Sequence, residues 1–304
     1  MRTRRILISL YTFYNMRYSS AGESGSGRKG KGFMQEYTLK TKFAALKVPQ
    51  ANEYLMDFGK IIEKAFEYRD SRLRLLGNLL VLERYCNTVQ RGLEGHETQP
   101  SVCLRYAQGL LWDYLGGCVT AADFQDFAND YYAWFSKEGG DQFEHNDAPE
   151  GFCSEHFAEY FADSCPDPYE WIAVEWSCDL LMKLVSIEGG RVDYENFEEC
   201  GKLDLYWVPY VLEIIQVGVC GWLASAIVAS NREADSEKSM TQVYNSLSRE
   251  IVMYVQKDLK TALWAAPMEY EALRKEYGQY TLIPEQYAGV LKNDRRKKKR
   301  RRKK

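Results

Sequence analysis

Residues 101–135, SVCLRYAQGLLWDYLGGCVTAADFQDFANDYYAWF, decide the fold class of this 304-residue chain. Apolar side chains recur in the stretch every three or four residues, which is the period of one face of an α-helix. Gly116-Gly117 interrupts the pattern as a helix stop, and Thr120 with Asp123 resembles a capping box that starts the next helix. The stretch therefore predicts two helices joined by a short turn.

The same helical spacing continues on both sides of this hairpin. Two further helices are predicted to begin near Asn52 and Ser71. Two long ones are predicted from Pro166–Pro168 to Ile187 and from Ser236 to about Trp264. Shorter helices are predicted at 154–163, 268–277 and 284–292. Strand signals are few: Tyr37–Phe43, and with less support Tyr280–Ile283. We therefore predict an all-α fold, either a helical bundle or an array of antiparallel helical hairpins, with few or no strands.

The composition of the chain changes at its ends and near its middle. A polar stretch rich in glycine and proline, 139–152, predicts a loop or domain joint. The predicted organisation is a disordered leader 1–33, an N-terminal helical subdomain 34–138, a C-terminal helical subdomain 153–292 and a disordered polybasic tail 293–304.

The leader has more than one interpretation. Its basic start and short apolar run imitate a secretory signal, but the run is interrupted by polar residues. Gly22–Gly30 begins like a phosphate-binding loop, but it lacks the Gly-Lys-Ser/Thr that such a loop needs and is better interpreted as a flexible linker. Arg28–Phe33, directly before Met34, would also result from translating a purine-rich ribosome-binding site. On that hypothesis Met34 is the true start, and we expect a cytoplasmic protein.

Leu205–Ala229 is the most apolar stretch, with Glu213 as its only charged residue. Its length is enough for a membrane span. However, Pro209, Glu213 and Gln216 are unfavourable in lipid, and the amphipathic helices around it need a central apolar partner. We therefore predict a buried helix here and no membrane span.

The charge of the chain is unevenly distributed. Ten of its 40 basic residues form the uninterrupted tail and seven lie in 1–33, whereas 42 of its 43 acidic residues lie in 34–294. This body carries a formal charge of −19, which favours a basic partner and repels nucleic acid. The tail has the opposite preference. It would bind nucleic acid or an anionic surface without specificity, or fold back onto the body, through Arg295, Arg296, Lys297, Lys298, Lys299, Arg300, Arg301, Arg302, Lys303 and Lys304.

No catalytic, metal or cofactor signature is complete. His145, Cys153, His156 and Cys165 form the one mixed cluster, but their spacing matches no common zinc pattern. Glu155, Glu159 and Asp163 share a helix face, which is more typical of a solvated acidic face than of a metal site. The eight cysteines include no Cys-x-x-Cys pair, so most are expected to be reduced and buried. We expect no catalytic residue, metal or cofactor.

A short stretch of the central hairpin is similar to a known class of proteins. The stretch consists of Leu110-Leu-Trp-Asp-Tyr-Leu-Gly-Gly, followed by Thr120-Ala-Ala-Asp-Phe. It resembles the helix–turn–helix sequence pattern of all-helical immunity proteins from bacterial polymorphic toxin systems. The resemblance covers fifteen residues, Leu110–Phe124, and excludes the basic tail. It implies toxin neutralisation by direct binding and identifies no contact residues.

Three functions follow as hypotheses. The first is a non-enzymatic protein-binding module whose acidic body docks a basic partner, as an immunity protein docks a toxin domain. The second is a nucleic-acid-associated accessory protein held by its tail. An enzyme with an unrecognised helical active site is the third.

Overall fold

A computed structural model describes residues 51–90, 101–138, 169–192, 203–216 and 236–283. Within these ranges the chain forms eight α-helices and no strand, so the prediction of an all-α fold is confirmed there. The helices are α1 Ala51–Ala65, α2 Ser71–Gln90, α3 Val102–Leu115, α4 Gln125–Glu138, α5 Glu170–Ile187, α6 Trp207–Ile214, α7 Ser236–Trp264 and α8 Tyr270–Tyr277. Short 3-10 turns, Ala121–Phe124 and Pro267–Glu269, precede α4 and α8.

The turn chemistry of the central hairpin is as predicted. The backbone N–H of Thr120 donates to a carboxylate oxygen of Asp123 at 2.7 Å, which completes the capping box. Gly117 ends the preceding turn at φ +76°, a conformation that favours glycine. Helix α2 begins at Ser71, as predicted, and Asp70 caps it by accepting from the N–H of Leu73 at 2.9 Å.

Helix α2 lies at the centre of the described helices. It contacts α3, α5, α6, α7 and α8, and 14 of its 20 residues are buried. Leu75, Leu76, Leu79, Leu80 and Leu82 have no exposed surface. The burial extends all round the helix, whereas an ordinary surface helix buries a single stripe.

The apolar stretch that begins at Leu205 is buried where it is described. Its helix, α6, packs on α1 and α2, and the residues from Trp207 to Leu212 are all buried. Residues 217–229, including Trp222, lie outside the described residues. None of the described helices is long and apolar enough to cross a membrane.

The predicted strand Tyr280–Ile283 is wrong. The segment follows α8 as a bend, and its backbone groups bond to side chains of α2 instead of to another strand. Leu282 and Ile283 are buried there, which explains the apolar pattern that resembled a strand.

Several predicted segments cannot be compared with the structure. The leader 1–33, the tail 293–304, the strand Tyr37–Phe43, the joint 139–152 and the helices at 154–163 and 284–292 all lie outside the described residues. The division into 34–138 and 153–292 stays a prediction. Helices from both of these ranges pack together, since α2 contacts α5 and α7, and α4 packs on α5.

Candidate functional site

Among the described residues, no group of three or more His, Cys, Asp or Glu side chains is placed to hold a metal ion. The sequence candidates His145, Cys153, His156 and Cys165 lie outside those residues, as do Glu155, Glu159 and Asp163. The described candidates are therefore buried polar networks and charged surfaces.

The four described cysteines are all thiols. Cys86, Cys103 and Cys178 are buried, and burial raises the pKa of Cys86 and of Cys178 well above the usual value. These two thiols therefore stay protonated at neutral pH and serve as packing groups, not as nucleophiles. Cys118, which follows Gly117, is exposed, so three of the four described cysteines are buried, as expected for most of them.

The most buried ionic contact joins α2 to α7. The guanidinium of Arg84 makes two hydrogen bonds to Asp258, of 2.5 and 3.0 Å, and Asp258 has no exposed surface. The hydroxyl of Tyr277 donates to the same carboxylate at 2.7 Å. The rings of Tyr254, Tyr277 and Tyr280 surround the guanidinium at 4.6 to 5.2 Å.

This network has a structural role. Burial raises the pKa of Asp258 to about 6, although Arg84 opposes the shift, so the carboxylate is ionised at neutral pH. Its oxygens already accept three hydrogen bonds and have no exposed surface. The pair fixes α7 and the segment after α8 against α2.

A second ionic group joins α5 to the segment before α6. The ammonium of Lys183 contacts Asp179 at 2.8 Å and Asp204 at 2.9 Å, and the indole N–H of Trp207 donates to Asp179 at 2.8 Å. Glu175 lies one turn before Asp179 and accepts no hydrogen bond from another described residue. Burial, and then the Asp179 carboxylate, raise the pKa of Glu175 to about 7.

Glu175→Gln is expected to make stability less dependent on pH. A carboxyl whose pKa rises on folding, here from 4.5 to about 7, stabilises the fold at low pH and loses that contribution as pH rises through 7. Wild-type stability should therefore fall between about pH 5.5 and 8.5, and the variant should lose less, by on the order of 2 kcal/mol. Urea unfolding at both pH values measures this difference. Equal losses in both proteins would show that Glu175 does not titrate in this range.

Exposed carboxylates gather where α3, α4 and α5 meet. We call Asp123, Asp126 and Glu188 the acidic end; all three are exposed. Glu188 accepts from the hydroxyl of Tyr114 at 2.7 Å and from the N–H of Ala121 at 3.1 Å, so it ties the end of α5 to the turn before α4. Residues 101–138 and 169–192 together carry nine acidic and four basic residues, a net charge of −5.

The solvent face of α7 has a different character. Arg249, Met253, Lys257, Lys260 and Trp264 follow each other every three or four residues and are all exposed. We call these five residues the basic–aromatic stripe. Arg249, Lys257 and Lys260 have no ion-pair partner within the described part of the chain.

The stripe ends beside the turn between α1 and α2. The guanidinium of Arg69 lies 5.3 Å from the ring centre of Trp264, which is 70% exposed. Tyr68 is 92% exposed and Met268 is 88% exposed. This corner thus gathers large exposed side chains in a chain whose other described tryptophans are buried or partly buried.

Arg295–Lys304, which are predicted to bind polyanions, lie outside the described residues, and the stripe is not among the sites predicted from the sequence. The signal was present, because cations and large apolar residues alternate on the face of α7 opposite its buried residues. Neither a protein-family model, nor a curated protein, nor a solved structure matches the chain.

Proposed function

We propose that the chain is a non-enzymatic protein-binding module that docks a basic partner on its acidic end. The observation that carries the proposal is the exposure of Asp123, Asp126 and Glu188, which lie in two segments, 101–138 and 169–192, with a formal net charge of −5. Charge of one sign attracts an oppositely charged partner and suppresses wrong ones.

The acidic end is also held in place before any partner arrives. Asp123 is fixed by the capping box, and its pKa is lowered by hydrogen bonds from the backbone and side chain of Thr120. Glu188 is fixed by Tyr114 and Ala121. Side chains that are already ordered lose less entropy on binding, which favours affinity.

The resemblance to immunity proteins supports a particular partner. Its second part, Thr120–Phe124, forms the turn that carries Asp123 and contacts Glu188. The partner in this proposal is therefore a basic toxin domain, which the chain neutralises by covering it.

The test uses the product of the gene directly before this one, because an immunity protein is expected to follow its toxin. Binding should weaken at least about tenfold in Asp126→Lys/Glu188→Gln, since two carboxylates are lost from a central contact. Glu67→Lys/Glu271→Gln changes the net charge equally at exposed sites elsewhere and should change binding less than about threefold. Calorimetric titration measures both.

Deletion of 295–304 should leave this binding intact. An upstream product that does not bind, or equal losses in both double variants, would exclude the acidic end as a specific docking site. The second candidate function, association with nucleic acid, is favoured by the basic–aromatic stripe.

A further inference from the structure

We propose that the basic–aromatic stripe binds single-stranded nucleic acid, with the phosphates along Arg249, Lys257 and Lys260 and a base stacked on Trp264. This surface is separate from the acidic end and does not depend on the protein-binding proposal.

The cations of the stripe are available to a ligand. They are exposed and make no ion pair among the described residues, although the body of the chain is strongly acidic. They lie on one face of a single 29-residue helix, where Arg249 and Lys260 are about 16 Å apart along its axis and Trp264 lies about 6 Å further on. A row of cations of this length suits an extended polyanion better than a small anion.

Carboxylates border the stripe without neutralising it. Glu250 lies beside it on α7, and Glu67 and Asp70 lie in the turn near Trp264. Asp258, next to Lys257 in sequence, is fully buried and bound to Arg84. The surface along Met253, Lys257 and Lys260 therefore keeps a positive charge.

The exposed rings of Trp264 and Tyr68, at the end of the stripe, favour nucleic acid over other polyanions. Trp264 is 70% exposed with Arg69 already against its ring, and Tyr68 is 92% exposed next to Arg69. Every base has a face that stacks on such rings, and the arginine adds a cation–π contribution.

The alternation of residues along the stripe argues against a lipid surface. A helix that lies in a bilayer interface presents a continuous apolar face. Here only two of the five stripe residues, Met253 and Trp264, are apolar, and cations separate them. The polybasic tail is also predicted to bind phosphates, so the test has to separate the two contributions.

The experiment measures fluorescence anisotropy of a labelled thymidine oligomer of about 15 nucleotides, at about 50 mM salt, with the full chain. Lys257→Gln/Lys260→Gln and Trp264→Ala should each weaken binding about tenfold. The matched control Arg105→Gln/Lys275→Gln removes two exposed cations from α3 and α8 and should change binding less than about threefold. The slope of log affinity against log salt should fall by about 0.7 for each stripe cation removed.

Two further arms identify the mode of binding. An oligomer of abasic sites should bind wild type and Trp264→Ala equally, because it has no base to stack. Deletion of 295–304 should lower the affinity but preserve the effect of Trp264→Ala. The proposal is overturned if the control weakens binding as much as the stripe variants, if Trp264→Ala has no effect, or if anionic lipid vesicles show the stripe dependence and the oligomer does not.

Discussion

Asp258→Ala is expected to destabilise the protein by about 3–5 kcal/mol, because it leaves the buried guanidinium of Arg84 without its counterion. Arg84 is only 5% exposed, so water cannot replace the lost carboxylate. The hydroxyl of Tyr277 loses its acceptor in the same step. Urea unfolding near neutral pH, followed by circular dichroism, measures the loss.

Two comparison variants make this result specific. Asp113→Ala breaks the ion pair with Arg274, whose side chains are 40% and 37% exposed, and should cost less than about 1 kcal/mol. Arg84→Met/Asp258→Leu replaces both buried charges with apolar groups and should recover much of the loss seen in Asp258→Ala. If the single and double variants are equally unstable, packing rather than the unpaired charge dominates at this site.

Trp176→Ala is expected to cost about 3–5 kcal/mol, the usual range for emptying a large aromatic site in a core. Trp176 has no exposed surface and stacks on Trp207 with ring centres 6.2 Å apart. Its indole N–H also donates to the side-chain oxygen of Asn78 at 3.0 Å, which would be left unsatisfied in the variant.

Trp264→Ala is the matched control, because it deletes the same side chain from a position that is 70% exposed. It should change stability by less than about 0.5 kcal/mol. The two melting curves therefore test burial directly, and they show whether the nucleic-acid binding variant is folded. A loss in Trp264→Ala similar to that in Trp176→Ala would mean that Trp264 supports the fold.

The sequence predicted most helix positions because local signals define them. The capping box at Thr120, the glycines after α3 and α5, and Pro267 after α7 act within a few residues of the chain. The position of each helix in the core was harder to predict. Leu205–Ala229 was predicted to be a buried helix, and its described part is buried. The sequence did not predict that α2, which carries Arg74 and Arg84, is central among the described helices.

The buried charges of α2 explain why its central position was not predicted. The guanidinium of Arg74 bonds to Glu63 and to the carbonyl oxygens of Leu203 and Phe66. The most distant of these partners of Arg74 is 129 residues away in the chain, so the local sequence pattern around Arg74 does not indicate it. The stripe on α7 was missed for another reason: the apolar period was used to find the face that is buried, and the opposite face was treated as ordinary solvated surface.

The position of α2 also bears on how the chain folds during synthesis. Its polar side chains bond to residues that are translated much later, and Arg84 bonds to the carbonyl of Thr281, 197 residues further on. At about 5–20 residues per second, a ribosome needs roughly 10–40 seconds to make that distance. During this time the guanidinium of Arg84 lacks Asp258 and the carbonyl of Thr281, and the amide of Asn87 lacks the carbonyls of Tyr277 and Tyr280. These contacts of α2 are therefore completed only near the end of translation.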